Sequence, residues 1–212
     1  MSETLQQLSS ALQIGDQDGV ARLTREAIDT GCEARAILDE GLIAGMAIVG
    51  ERFKVHEIFL PDVLLAAKAM CVGMDLLRPL LIRDDVPAIG KVVIGTVQGD
   101  LHDIGKNLVG IMLKGAGFEV IDLGRDVSPE RFIAEAERMG ADVIGLSALL
   151  TTTMVNMGKV ISLAQERGLR PQTKIIVGGA PLSSEYARQI GADAYCFDGI
   201  SAVECVKRFV SS

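Results

Sequence analysis

One stretch of this chain combines residue types that can do chemistry at a spacing that lets them meet. Gln98-Gly99-Asp100-Leu101-His102-Asp103-Ile104-Gly105-Lys106-Asn107 carries one of the two histidines in 212 residues, with a carboxylate two positions before it and another immediately after. Imidazole is a metal ligand, and a ligating imidazole normally donates its second ring N–H to a carboxylate, which sets the tautomer and raises the basicity of the ring. Asp100 is placed to be that carboxylate. A lone histidine is more often structural or merely exposed, so His102 gains weight only from this context. A single protein ligand cannot hold a bare metal ion against water. A metal ligated by His102 must therefore arrive with most of its coordination sphere filled, as in a tetrapyrrole-type cofactor. Gly99, Gly105, Gly178 and Gly179 fit a bulky guest, because glycine lets backbone approach a ligand closely. For Gly178-Gly179 alone, ordinary turn chemistry is the plainer reading.

No second constellation competes with this one. Cys32, Cys71, Cys196 and Cys205 are scattered, and with only His56 and His102 to join them they lack zinc-site spacing. Four buried thiols acting as small hydrophobes is the expectation. No G-x-G-x-x-G follows the first strand of the second half, and no P-loop is present. The charge balance is 21 − 28 = −7 with no Lys/Arg cluster, which lacks the footprint of a nucleic-acid binder. The longest uncharged stretch, Val143 to Gly158, is 16 residues and too polar to span a bilayer. The N-terminal MSETLQQLSSALQ lacks the basic-then-apolar pattern of a secretory signal. The expectation is a soluble, cytoplasmic protein with no membrane and no nucleic-acid partner.

The elements that position these residues change character near residue 85. Before it, apolar residues recur at three and four: Leu5, Leu8, Leu12; then Val20, Leu23, Ala27, Ile28; then Ile37, Leu38, Leu42, Met46, Val49; then Leu60, Leu64, Ala67, Cys71, Met74, Leu77. That pattern predicts four amphipathic helices in a small bundle over residues 1–82, with Pro61 in the first turn of the fourth. Residues 83–90 (RDDVPAIG) read as a linker. Residues 91–212 alternate β-branched runs with helical segments. Strands are expected at Lys91–Val97, Glu119–Leu123, Ala141–Ser147, Lys174–Val177 and Ala194–Phe197, and helices at about 104–115, 129–139, 154–167, 183–190 and 201–210. This is an α/β pattern: a doubly wound, five-stranded parallel sheet, whose ligands bind beyond the C-terminal strand ends. The loops after strands 1, 3 and 4 would then share one edge, bringing Asp100 and His102, Ser147 to Thr153, and Gly178-Gly179 into one site.

Asp100-x-His102-x-x-Gly105, Ser147-x-Leu149 and Gly178-Gly179, at these separations, resemble the signature of base-off/His-on cobalamin-binding domains. ERFKVHEIFLPDVLLAAKAM resembles the helical cap that precedes this domain in methionine synthase. Over nearly its full length the chain is similar to the small corrinoid proteins of methyltransferase systems. The resemblance implies a helical cap, then a flavodoxin-like (Rossmann-like) cobalamin-binding domain over 91–212. It implies a cobalamin cofactor, as methylcobalamin in the loaded form, with His102 as lower axial ligand of cobalt and Asp100 hydrogen-bonded to it. Ser147 would contact the displaced dimethylbenzimidazole tail and Gly178-Gly179 would leave room for it. Leu149 matches the motif, with plain packing as the simpler reading, and Thr151 lies in the same loop. Thr153 stands where a serine completes a ligand–acid–hydroxyl relay in methionine synthase. Phe53 and Leu60 match cap residues that shield the methyl group, although bundle core is the plainer reading of Leu60. His56, between them, is expected to be exposed or packed and outside the site.

These matches imply a methyl carrier that is not a complete enzyme by itself. Its partners would be a substrate-specific methyltransferase that loads the methyl group, an acceptor methyltransferase acting on a tetrahydropterin or thiol, and a reductive activase. Arg83–Gly90 would serve as the hinge for cap movement. Two rivals share the His102 loop. The small subunit of an adenosylcobalamin mutase would not carry a four-helix cap. A cobalamin-dependent sensor would need an output element such as a basic DNA-reading helix, and often carries cap tryptophans, of which this chain has none. A cofactor-free flavodoxin-like scaffold would leave three spaced matches to coincidence.

Overall fold

The computed structural model describes residues 2–84, 86 and 88–211. The chain separates into two compact units: the four N-terminal helices with residues 115–117, and the remainder from Ile89 onward. In the first unit, α1 (Glu3–Gln13) is capped by the Ser2 side chain, which accepts from Leu5 N–H, and α2 (Gln17–Asp29) by Asp16, which accepts from Gly19 N–H. Each cap satisfies a backbone donor that has no partner within the first turn. Leu5, Leu8 and Leu12 of α1 and Val20, Leu23 and Ala27 of α2 are buried as the periodicity predicts. Burial of a leucine of this kind contributes about 1.5–3 kcal/mol.

The third helix, α3 (34–54), is α-helical over Ala34–Ala36 and Ala44–Lys54 but π-helical over Ile37–Ile43. Leu38, Leu42 and Met46 are spaced by four, which outruns a 3.6-residue turn. The wider π turn keeps all three buried on one face. The fourth helix, α4 (Leu60–Arg83), places Pro61 in its first turn as expected and tolerates Pro79 on an exposed position. Its buried face differs from the expected stripe. Val63, Ala66, Ala67, Met70, Gly73 and Leu77 are buried, whereas Leu60 and Cys71 are exposed. The apolar residues of this helix outnumber the positions on its covered face, so periodicity alone chose the wrong set. The expectation of four buried thiols is corrected with it: Cys196 and Cys205 are buried, Cys32 is half-buried and Cys71 is exposed. The helix continues into Arg83, the first residue of the expected linker, and Asp85 and Pro87 of that linker lie outside the described residues.

The second unit runs β1 (Lys91–Thr96), α5 (Ile104–Gly115), β2 (Glu119–Asp122), α6 (Pro129–Met139), β3 (Val143–Ser147), α7 (Thr151–Glu166), β4 (Lys174–Gly178), α8 (Ser184–Ile190), β5 (Ala194–Tyr195) and α9 (Gly199–Val210). The five strands form one sheet in the order β2-β1-β3-β4-β5, every pairing parallel. Val93 and Val97, Ile144 and Leu146, and Ile175 and Val177 point to one face. There they form a core with Phe132, Ile133 and Ala136 of α6 and Met157, Val160 and Ile161 of α7. The alternate residues Val92, Ile94, Val143 and Ile176 are buried on the other face. Strands covered on both faces read as continuous apolar runs, which is why they were legible. Among the described residues no helix is long and apolar enough to cross a membrane.

Candidate functional site

The sheet changes winding direction between β1 and β3: β2 lies outside β1, while β4 and β5 lie beyond β3. The loops leaving the two central strands therefore diverge and open a crevice at their C-terminal ends, the place where doubly wound sheets bind ligands. Val97 N–H donates to the Ser147 carbonyl (3.0 Å) and Ala148 N–H to the Gly178 carbonyl (3.2 Å), so the strand ends that carry the three expected segments stand side by side.

Asp100 lies in this crevice with its side chain 0% exposed. Its Oδ1 accepts from the backbone N–H of His102 (3.0 Å) and faces the ring Nδ1 of His102 (2.8 Å). Its Oδ2 accepts from the Thr153 hydroxyl (2.7 Å) and from the backbone N–H groups of Leu149 (2.8 Å) and Leu150 (3.3 Å). Burial by itself would raise the carboxyl pKa. The hydrogen bonds from Thr153, Leu149 and His102 outweigh it and hold the carboxyl well below the usual carboxylate range. The anion also sits at the start of α7, whose N-cap residue Leu150 has no side chain able to cap, and there it meets the positive end of the helix dipole.

An anionic acceptor at Nδ1 fixes the neutral imidazole with its proton on Nδ1 and its lone pair on Nε2. The His102 side chain is 51% exposed. The site thus presents one basic nitrogen to an incoming group, backed by a carboxylate that stays ionised. Thr96 Oγ1 donates to the His102 carbonyl (2.9 Å) and steadies the loop from below.

The other expected residues fall out as follows. Ser147 ends β3, half-buried, in register with Thr96 and Gly178. Leu149 is not a packing residue: its side chain is exposed, and its contribution to the site is its backbone N–H. Thr151, Thr152 and Thr153 are not loop residues but the first turn of α7, which begins three residues earlier than its periodicity indicated. Thr151 is exposed, while Thr153 is buried against Asp100. Gly179 has φ +138, and a Cβ there would lie 1.8 Å from the Ala148 carbonyl oxygen, so the protein's own backbone already demands glycine. Gly105 is the reverse case. It has ordinary helical backbone in the first turn of α5, and a Cβ there would meet nothing within 4 Å. In the helical unit, Phe53 is half-buried near the end of α3, and Leu60 is 38% exposed, which overturns its core reading. His56 is exposed, at φ +59.

Several participants carry no motif signal. Leu101, Ile104 (80% exposed) and Leu150 are apolar side chains in water around His102 and Leu149. Apolar residues inside an otherwise polar loop are the hint that could have found them. Lys106 is buried, with Nζ bonded to Asp122 Oδ1 (2.6 Å) and Asn107 Oδ1 (2.7 Å), and it ties the first turn of α5 to the end of β2. Among the described residues no group of three or more His, Cys, Asp or Glu could hold a bare metal ion. One basic imidazole nitrogen, an apolar rim and an open position over Gly105 fit a metal that brings its own planar ligand.

Residues 90–206 match the family described as B12 binding domain, and residues 4–78 match a second family of the same description. The chain is 43% identical over 209 residues to a corrinoid protein of Desulfitobacterium hafniense, covering 97% of each. It is 43% identical over 210 residues to the dimethylamine corrinoid protein of Methanosarcina barkeri, covering 99% of this chain and 98% of the relative. Its structure superposes on a chain of the methanol:cobalamin methyltransferase complex from Methanosarcina barkeri with a TM-score of 0.90 at 28% identity, covering 100% of this chain and 81% of that one.

Proposed function

This chain belongs to the B12-binding corrinoid proteins, and we propose that it works as a cytoplasmic methyl carrier between two methyltransferases. The observation that carries the reading is the Asp100 carboxylate held between the His102 ring and the first turn of α7. The chemistry that a bound corrinoid supplies is acceptance and release of a methyl group at cobalt.

The chain's own residues divide the remaining work. His102 would hold the cobalt of the corrinoid through Nε2, the ring nitrogen that Asp100 leaves open. Asp100 keeps the Nδ1 proton hydrogen-bonded, so the ring stays a strong donor, and Thr153 donates to the opposite oxygen, which keeps the negative charge on the carboxylate. Leu101, Ile104, Leu149 and Leu150 supply apolar contact and exclude water, and Gly105 leaves space for close approach. Ser147 and Gly178-Gly179 take the displaced tail. Phe53 and Leu60, with Thr151 as a further contact from α7, complete the assigned residues, the first two as shields of the transferred methyl group. Residues 1–82 act as cap, 83–90 as hinge and 91–212 as the cofactor domain.

The partner that loads the methyl group is a methyltransferase. One relative is named for dimethylamine and one structural match is part of a methanol:cobalamin methyltransferase complex, which supports a simple methylated amine or alcohol as donor, with the choice made in the partner. The acceptor enzyme passes the methyl group to a tetrahydropterin or thiol, and a reductive activase restores reduced cobalt. Reconstitution with hydroxocobalamin tests the reading. One equivalent should bind with nitrogen ligation, His102→Ala should abolish that ligation, and the reduced protein should take up one methyl group from a partner-bound donor. A chain that stays colourless, or keeps nitrogen ligation without His102, overturns it.

A further inference from the structure

Among the described residues two non-glycine residues have left-handed backbone, and one of them, Asp126 at φ +52, lies against the His102 loop. Aspartate is among the residues that tolerate this region, but the conformation is costly and persists where the surroundings hold it. Here the surroundings are residues 99 and 100. Asp126 Oδ1 accepts from Gly99 N–H (2.7 Å), and Asp126 N–H donates to the Asp100 carbonyl (3.1 Å). Gly99 is itself left-handed, at φ +84. The two turns therefore meet as a reciprocal pair, with one residue closing two hydrogen bonds on a single dipeptide. From the other side, Asn156 Nδ2 of α7 donates to the Gln98 carbonyl (2.7 Å). The backbone leading to His102 is thus gripped at residues 98, 99 and 100, and Thr96 grips the His102 carbonyl itself.

We propose that Asp126 is a positioning residue for the axial imidazole. Its hydrogen bonds described above go to the backbone of Gly99 and Asp100, not to the His102 side chain or the Asp100 carboxylate. By fixing the Gly99-Asp100 backbone it sets where the Asp100 carboxylate stands, and hence where the His102 ring is presented. This rests on His102 ligating the cofactor. A loop free to relax would let the ring swing away, so Asp126 shifts the balance between ligated and unligated imidazole without being needed for the fold.

The test uses the full chain reconstituted with cobalamin and reduced to the paramagnetic Co(II) state, in which splitting by one coordinated nitrogen reports ligation by electron paramagnetic resonance. Asp126→Gly accepts φ +52 without strain but loses the acceptor for Gly99 N–H. It should bind a full equivalent of cobalamin while the ligated-to-unligated ratio falls about tenfold. Asp126→Glu keeps the charge but displaces the carboxylate, and should lower the ratio in the same direction. Asp126→Asn keeps both an acceptor oxygen and tolerance of the backbone, and should match the parent. Melting of the chain without cofactor separates a folding defect from a ligation defect, and D126G should melt within a few degrees of the parent. A parent with nitrogen ligation, alongside D126G and D126E of unchanged ratio, overturns this proposal alone. A parent without nitrogen ligation overturns it together with the cofactor reading.

Discussion

The hydroxyl of Thr153 donates to Asp100 Oδ2 across 2.7 Å, although 53 residues separate the two in the chain. The His102 ring occupies the other oxygen of the same carboxylate, so imidazole, acid and hydroxyl form one continuous hydrogen-bonded line. Thr153, which stands where methionine synthase carries a serine, reaches the acid because α7 starts at Thr151 and its first turn points Oγ1 of residue 153 into the crevice. Threonine in a helix has two accessible rotamers, and one of them meets the acid.

Replacing Asp100 tests how far this line holds the site together. Asp100→Asn puts an amide NH2 where an oxygen now accepts hydrogen bonds, leaving donors to face donors. A loss of about 1–3 kcal/mol in urea unfolding of the cofactor-free chain is expected. The pH dependence has a definite sign. The folded carboxyl is held below its unfolded value, so its stabilising contribution is fully present above about pH 4 and is lost as the solution becomes more acidic. The parent should therefore lose stability on acidification more steeply than D100N. Parallel curves would refute the assignment.

Thr153→Val removes only the hydroxyl from a side chain of the same shape. It should cost about 1 kcal/mol, and because the Thr153 hydrogen bond opposes the effect of burial on the carboxyl, the acid transition of Asp100 should move to higher pH. Thr153→Ser retains the donor and should stay near the parent. Carboxyl titration by NMR reads the shift directly.

Gly105→Ala should separate stability from binding. The added Cβ meets nothing in the protein and the backbone is already helical, so the cofactor-free chain should gain about 0.5–1 kcal/mol. The same methyl group intrudes on the space reserved for the guest, and cobalamin affinity should fall. Thermal melting and a cobalamin titration of one preparation give the two signs.

Lys106→Met keeps the buried stem and deletes the charge that neutralises Asp122. A loss of about 2 kcal/mol is expected, below the range for a fully buried pair because a third of the Asp122 side chain remains in water. Asp122→Asn should cost more, since it leaves the buried ammonium of Lys106 without a counter-charge, whereas the Asp122 carboxylate left by the first variant keeps contact with water. Denaturant unfolding of both variants orders the two effects.

Much of the fold was legible in local pattern. The stripes of α1, α2 and α3 and the apolar runs of β1, β3 and β4 report periodicity and burial on both faces, which are properties of neighbouring residues. Where a segment held more apolar residues than its covered face could take, as in α4, pattern picked Leu60 and Cys71 and the structure buried Val63 and Met70 instead. The start of α7 was missed because Leu150 is not a capping residue, and the carboxylate that serves that end comes from Asp100.

By itself the order of residues determined the alternation of strands and helices, the pairing of Asp100 with His102 two positions apart, and the spacing shared with corrinoid proteins. These are short-range quantities or distances along the chain. The tertiary structure alone decided that the backbone N–H groups of Leu149 and Leu150 join Thr153 on Asp100, that Asp126 and Asn156 grip the loop, and that Gly179 answers to Ala148. Those contacts exist because β1 lies between β2 and β3, with β4 next in order, so that the loops after all four strands meet at one edge. Adjacency of strands far apart in sequence is set by the packing of the whole sheet, which local periodicity does not encode.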